Sequence, residues 1–379
     1  MKTGSAFVLS LAGITIAASA SFAPAAESAR PAAAIEIGST DVAGVVAGPK
    51  GHEAGVWVIA ETTDLPTKFA RIVVTDGRGR YLIPDLPTAN YSVWVRGYGL
   101  VDSPKLHAKP GQILNHTAVP APNAAAAAHY YPAIYWYAML KIPPAADFGG
   151  TSGIPKNITQ ANWLRQMKNV DCIGCHQLGQ ESTRTIPAQF GRFESGRDAW
   201  MRRIQAGQSG ENMTNRIAGQ FGGVPYKYFG DWTDRIAKGE LPKAKPPRPQ
   251  GVERNIVVTS WEWSTEKHYL HDLIASDRRN PTVNAYGPLY GSPEYSTDNM
   301  PILDPKTNKV TFFKLPVQDP AMPESLGPGH AATVKPLQPS AYWGDEQIWD
   351  TRANNHNSMF DKQGRLWLAA TVQIGRAHV

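Results

Sequence analysis

The most constraining feature of this 379-residue chain is Cys172-Ile173-Gly174-Cys175-His176, because it holds the only two cysteines. Without further thiols there is no disulfide framework, so stability has to come from packed cores. The spacing also narrows the chemistry. One helical turn brings both sulfurs to one side and sets an imidazole directly after them. C-x-x-C-H is the signature for covalent attachment of a c-type haem, in which two thiolates add to the vinyl groups and the histidine becomes the proximal iron ligand. A bare C-x-x-C has two other readings. A zinc site usually needs a second ligand pair, and a thioredoxin-like redox pair needs a βαβ setting. No other cysteine and no such setting occur here. Histidine occurs only ten times in the chain, so its place beside the second cysteine favours one covalent haem c on Cys172 and Cys175, with His176 on the iron.

Residues 1–26 read as a secretory signal peptide. Lys2 gives a positive start, 6–20 is an uncharged apolar run, and small residues at Ala18-Ser19-Ala20 or Ala23-Pro24-Ala25 offer cleavage sites. An uncleaved N-terminal anchor is the alternative. No later stretch is apolar for long enough to span a bilayer. The expected location is therefore periplasmic or extracellular, with no transmembrane span in the mature chain. A formal net charge of +6 is mild, and the lysines and arginines form no dense block. This gives little support for nucleic-acid binding, whereas a basic surface suits docking of an acidic redox partner protein.

Residues 35–117 carry β patterning. Val42 to Ala47, Gly55 to Ala60 and Phe69 to Thr75 are short apolar runs separated by turn residues. Asp76-Gly77-Arg78-Gly79 is a hairpin signal, and Tyr91 to Arg96 alternates with period two. Gly44, Asp76, Gly79, Tyr81, Leu86, Tyr91 and Gly97-Tyr98 follow the pattern of the carboxypeptidase regulatory-like (transthyretin-like) β-sandwich, which this segment resembles. That family belongs with carbohydrate-binding-like folds. No cluster of exposed aromatics argues for sugar binding here, so a spacer or docking module is expected.

A Pro/Ala-rich linker, 118–150, leads to 151–240. Thr159 is placed to cap a helix from Gln160 to His176, with Trp163, Leu164, Met167 and Val170 on one face. Residues 177–192 read as loop. A second helix starts at Ser195 or Gly196 and stops at Gly207, 208–223 is loop-like, and a third helix spans Phe229 to Lys238. This order resembles a small mono-haem cytochrome c. In that family a methionine thioether usually closes the sixth iron position. Met213, in the Gly/Ser/Asn-rich segment, is the first candidate and Met201 the second. Met167 is expected to be core, and a histidine or an open position are the other options.

A basic, proline-rich linker, 241–252, precedes 253–372. Asn255 to Trp263 reads as a strand. Ile302 to Pro316 and His356 to Ala370 each read as strand, turn, strand. They resemble β-propeller blades of the streptogramin lyase-like kind. A propeller closes with at least four blades, and only about two fit, so the chain is expected to be incomplete. Gln373 to Val379 can be encoded by CAGATCGGAAGAGCACACGTC, which looks like a common sequencing adapter. Residues 373–379 are therefore expected to be read-through, and His378 is set aside. His268, His271, Asp272, His330 and His356 are irregularly spaced for a metal site; His268, His271 and His356 remain candidates for a central substrate site.

The expected fold class is multidomain: an all-β sandwich, a small all-α cytochrome c domain and a partial all-β propeller. The expected function is electron transfer by an exported c-type cytochrome. The alternatives are a haem-containing oxidoreductase or lyase whose propeller holds a small-molecule site, and a carbohydrate- or cell-surface-binding protein with an auxiliary haem.

Overall fold

The computed structural model describes residues 35–150, 152–268, 270–317, 321 and 337–370. Residues 1–26, expected to be a signal peptide, His330 and the tail with His378 lie outside them. Strands fill the chain up to Pro120 and again from Val258, with helices between.

Two sheets enclose the first core. Trp57–Thr62 pairs antiparallel with Phe69–Val74 on one side and Tyr91–Arg96 on the other, and Leu106–Ala108 lies beyond Tyr91–Arg96. Val42–Gly48 anchors the second sheet and pairs antiparallel with Arg80–Ile83, Gly44 opposite Tyr81. Alternation sends Tyr91, Val93 and Val95 inward, where they meet Val42, Val46 and Ile83 from the facing sheet. The hairpin turn forms because the Asp76 carboxylate accepts from the backbone N–H groups of Arg78 and Arg80 at 2.8 and 2.9 Å. Gly79, at φ 72°, supplies the left-handed step. Gly44 has a different reason: a Cβ there would sit 1.9 Å from the Leu114 carbonyl oxygen.

One strand lies where its sequence neighbours do not suggest. Val258–Trp261, expected to open the C-terminal portion, instead pairs antiparallel with Phe69–Val74, Trp261 opposite Phe69. The physical reason is the edge of that sheet. Left uncovered, Phe69–Val74 would present unpaired backbone groups, and the Trp261 ring packs on Phe69 with centroids 5.9 Å apart.

The helices are short: α1 Ala124–His129, α2 Ala133–Tyr137, α3 Gln160–Lys168, α4 Asp171–Cys175, α5 Glu181–Arg184, α6 Gly196–Ile204, α7 Gly210–Thr214 and α8 Val224–Ala237. Thr159 caps α3 as its position predicts, in a capping box with Asn162. The expected single helix from Gln160 to His176 is broken at Asn169 and Val170. Both of their N–H groups bond to the Arg165 carbonyl, which closes α3 and lets α4 start afresh. The helices share a core of Trp163, Met167, Trp200, Phe221, Phe229 and Trp232.

Beyond Trp261, Asp272–Ile274, Leu289–Ser292, Asn299–Asp304 and Lys309–Lys314 form an antiparallel sheet in sequence order. Asn355–Phe360 pairs with Leu366–Ala370. Both expected hairpins are present, turned by Asn308 (φ 54°) and Gly364 (φ 80°). Among the described residues, no helix is long and apolar enough to cross a membrane.

His116 gives the first core a pH dependence. It is 4% exposed, its Nε2 has no hydrogen-bond partner, and burial draws its pKa from 6.5 down to about 4. The unfolded chain takes up this proton first. The stabilising contribution is therefore full above about pH 6.5 and is lost as pH falls through 4. Denaturation midpoints measured across this interval should fall more steeply for the wild type than for His116→Leu. Equal slopes would contradict the assignment.

Candidate functional site

α4 is a single turn that contains Cys172 and ends on Cys175. The N–H of His176 closes it by bonding to the Cys172 carbonyl at 3.2 Å, and the backbone of His176 is already extended. The three residues singled out by their spacing thus fall within one turn and its cap. Cys172 is half-buried, borders the aromatic core of the helices, and has its Sγ 3.9 Å from Met167 Sδ. Met167 itself is 1% exposed, in the core role expected of it.

His176 is exposed to solvent, yet burial is the larger cause of its lowered pKa, with the Arg203 charge second. The lowered pKa favours the neutral imidazole, the form that can ligate a metal.

The chain after His176 is tied down rather than loose. Residues 177–192, expected to be loop, contain α5 and a 3₁₀ turn at Ala188–Phe190. The Arg184 guanidinium donates to the Gly179 carbonyl at 2.8 Å and stacks over Trp136 at 4.2 Å. Thr183 Oγ1 accepts from the Gly179 N–H at 2.9 Å. From α6, Arg203 donates to the carbonyls of Ser182 and Thr185. Arg203 therefore both fixes this segment and acts on His176. Sequence reading passed over it, because one of two adjacent arginines near a helix end carries no distinctive signal.

Met213 is not in a loop. It lies on α7, its N–H bonded to the Ser209 carbonyl at 3.0 Å, and a π-helical stretch, Asn215–Gln220, follows. The Gly and Asn content suggests a loop, but burial of Ile217 and Phe221 in the helical core favours a wound backbone. Met213 and Met201 are both half-buried at the border of that core, so both remain thioether donors on its edge.

Among the C-terminal histidines, His271 and His356 come together, with ring centroids 4.3 Å apart. His268 stands apart from them, facing Phe312. Glu294, which no motif marks in the sequence, lies against both His271 and His356. No family model matches the chain, and no curated protein matches it.

Gly179 tests the fixed geometry after His176. It has φ 101°, and a Cβ there would lie 2.0 Å from the Ala133 carbonyl oxygen. Gly179→Ala should lower unfolding free energy by more than about 1 kcal/mol, read by urea denaturation. A neutral outcome would show that this turn is not held as described.

Proposed function

We propose that the chain is an exported c-type cytochrome that relays electrons through one haem, held covalently by Cys172 and Cys175 with His176 as proximal ligand. The observation that carries this reading is the single turn joining Cys172, Cys175 and the His176 cap. It is the placement that attachment to one porphyrin edge requires. The surroundings fit the same group. A porphyrin face needs apolar neighbours, and the Cys172 end of the turn borders an apolar core that also carries Met201 and Met213. The lowered pKa of His176 favours the neutral imidazole, the form that can ligate iron.

Bound there, the haem would supply reversible one-electron chemistry. The chain's own residues do the rest. Cys172 and Cys175 anchor the group, while Arg203 and Arg184 hold the segment after His176. Met213 is the proposed sixth ligand and Met201 the alternative; a thioether there raises the reduction potential and closes the iron to small ligands. The two N-terminal sheets support the reading of a carboxypeptidase regulatory-like spacer. The C-terminal hairpins support the reading of propeller blades that dock a redox partner protein or a small molecule. The enzyme reading keeps one specific observation in its favour, the convergence of His271 and His356.

The test is the absorption spectrum of protein made with the haem-attachment machinery. A low-spin α band with a weak far-red methionine–iron band is expected. The far-red band should vanish in Met213→Ala and persist in Met201→Ala. A high-spin spectrum that shifts on adding small ligands would replace the relay with a ligand-binding site.

A further inference from the structure

The convergence of His271 and His356 involves more than two rings. Asp272 Oδ1 stands 3.6 Å from His271 Nδ1 and 3.8 Å from His356 Nε2. The donor atoms of His271, Asp272 and His356 all lie within 4.8 Å of one another. Behind them Glu294 places Oε2 3.4 Å from His271 Nδ1 and Oε1 3.7 Å from His356 Nδ1.

We propose that His271, Asp272 and His356, backed by Glu294, bind one divalent first-row transition metal ion of the zinc or iron(II) type. Four observations carry this. First, the spacing fits. An ion with bonds of about 2.1 Å holds tetrahedral ligand atoms about 3.4 Å apart, close to the 3.6 and 3.8 Å that Asp272 Oδ1 keeps from the two imidazoles. Second, buried acceptors lack partners. Glu294 is 3% exposed and its Oε2 accepts no hydrogen bond, and Asp272 Oδ1 is buried without one as well. A buried carboxylate oxygen left unpaired is costly, and a cation removes that cost.

Third, the charges balance. With neutral imidazoles the group carries two negative charges, which one dication neutralises. Two imidazoles select a transition ion over magnesium or calcium, which prefer all-oxygen sites. Fourth, the donors sit on fixed backbone. His271 and Asp272 lead into the Asp272–Ile274 strand, and the His271 N–H bonds to the Ser292 carbonyl at 3.0 Å. His356 is on the Asn355–Phe360 strand, whose Ser358 hydroxyl meets that of Ser292 at 2.8 Å in a buried contact.

The roles separate by atom. His356 presents Nε2 to the ion, while its Nδ1 faces Glu294, the carboxylate–histidine arrangement that orients a metal ligand. His271 is the exposed member, so the ion keeps a solvent-facing position. The site is separate from the haem-attachment turn and independent of the haem reading.

The probe is zinc. Protein whose cysteines are blocked, by haem or by alkylation, is stripped with chelator, dialysed against zinc and assayed for bound metal. About one equivalent is expected. His356→Ala should lose it. Glu294→Gln, nearly the same shape, should weaken binding by about 10–100-fold, and His268→Ala should leave it unchanged. Wild-type protein binding no stoichiometric zinc would overturn the proposal, as would undiminished binding in both His356→Ala and Glu294→Gln. Because Glu294→Gln preserves side-chain volume, its result stands even if His356→Ala fails to fold.

Discussion

The turn that carries Cys172 and Cys175 depends on apolar burial that its own helix cannot provide. α4 and α7 have five residues each, and α8, the longest helix among the described residues, has fourteen. Helices this short are marginal alone in water. They hold because their faces close over Trp163, Trp200, Phe229 and Trp232. Two of the indoles are also fixed by hydrogen bonds. Trp232 donates to the Trp136 carbonyl at 2.9 Å and Trp200 to Thr233 Oγ1 at 3.1 Å. With only two cysteines in the chain, this aromatic packing takes the place that cross-links occupy in small secreted folds. The position of Cys172 against Met167 follows from it.

The same burial sets the electrostatics around His176. Burial, and after it the Arg203 charge, draws the His176 pKa down, and Arg203 is itself fixed by backbone carbonyls and by stacking 5.1 Å over Trp200. The helical segment also grips the C-terminal portion. Gln208, next to α7, accepts from the N–H groups of Ile348 and Trp349 at 2.8 and 2.7 Å and donates to the Trp349 carbonyl at 3.0 Å. The Trp349 ring stacks on Tyr295, the residue after Glu294. A packed path thus joins the Met213 helix to the His271–His356 cluster.

Local features of the chain were legible in its sequence, and long-range ones were not. Period-two alternation located Tyr91–Arg96, and turn chemistry located the hairpins at Asp76–Gly79 and Asp361–Gly364. Thr159 and Ser195 marked helix starts correctly, because caps are decided within three or four residues. The break at Asn169 and Val170 was hidden because the apolar spacing runs on through Val170. Val258–Trp261 was placed with its sequence neighbours, although its partner, Phe69–Val74, is almost two hundred residues away. Glu294 had no local signature. It joins the cluster only because two separate strands, Asp272–Ile274 and Asn355–Phe360, bring His271, Asp272 and His356 to it.

The central claim is the covalent haem, and its most direct measurement is the mass of the denatured protein after expression with the haem-attachment machinery. The account predicts the polypeptide mass plus one haem, retained under denaturing conditions and absent when Cys172 and Cys175 are both replaced by alanine. The bare polypeptide mass in the wild type, with haem fully extracted by acid and organic solvent, would contradict it.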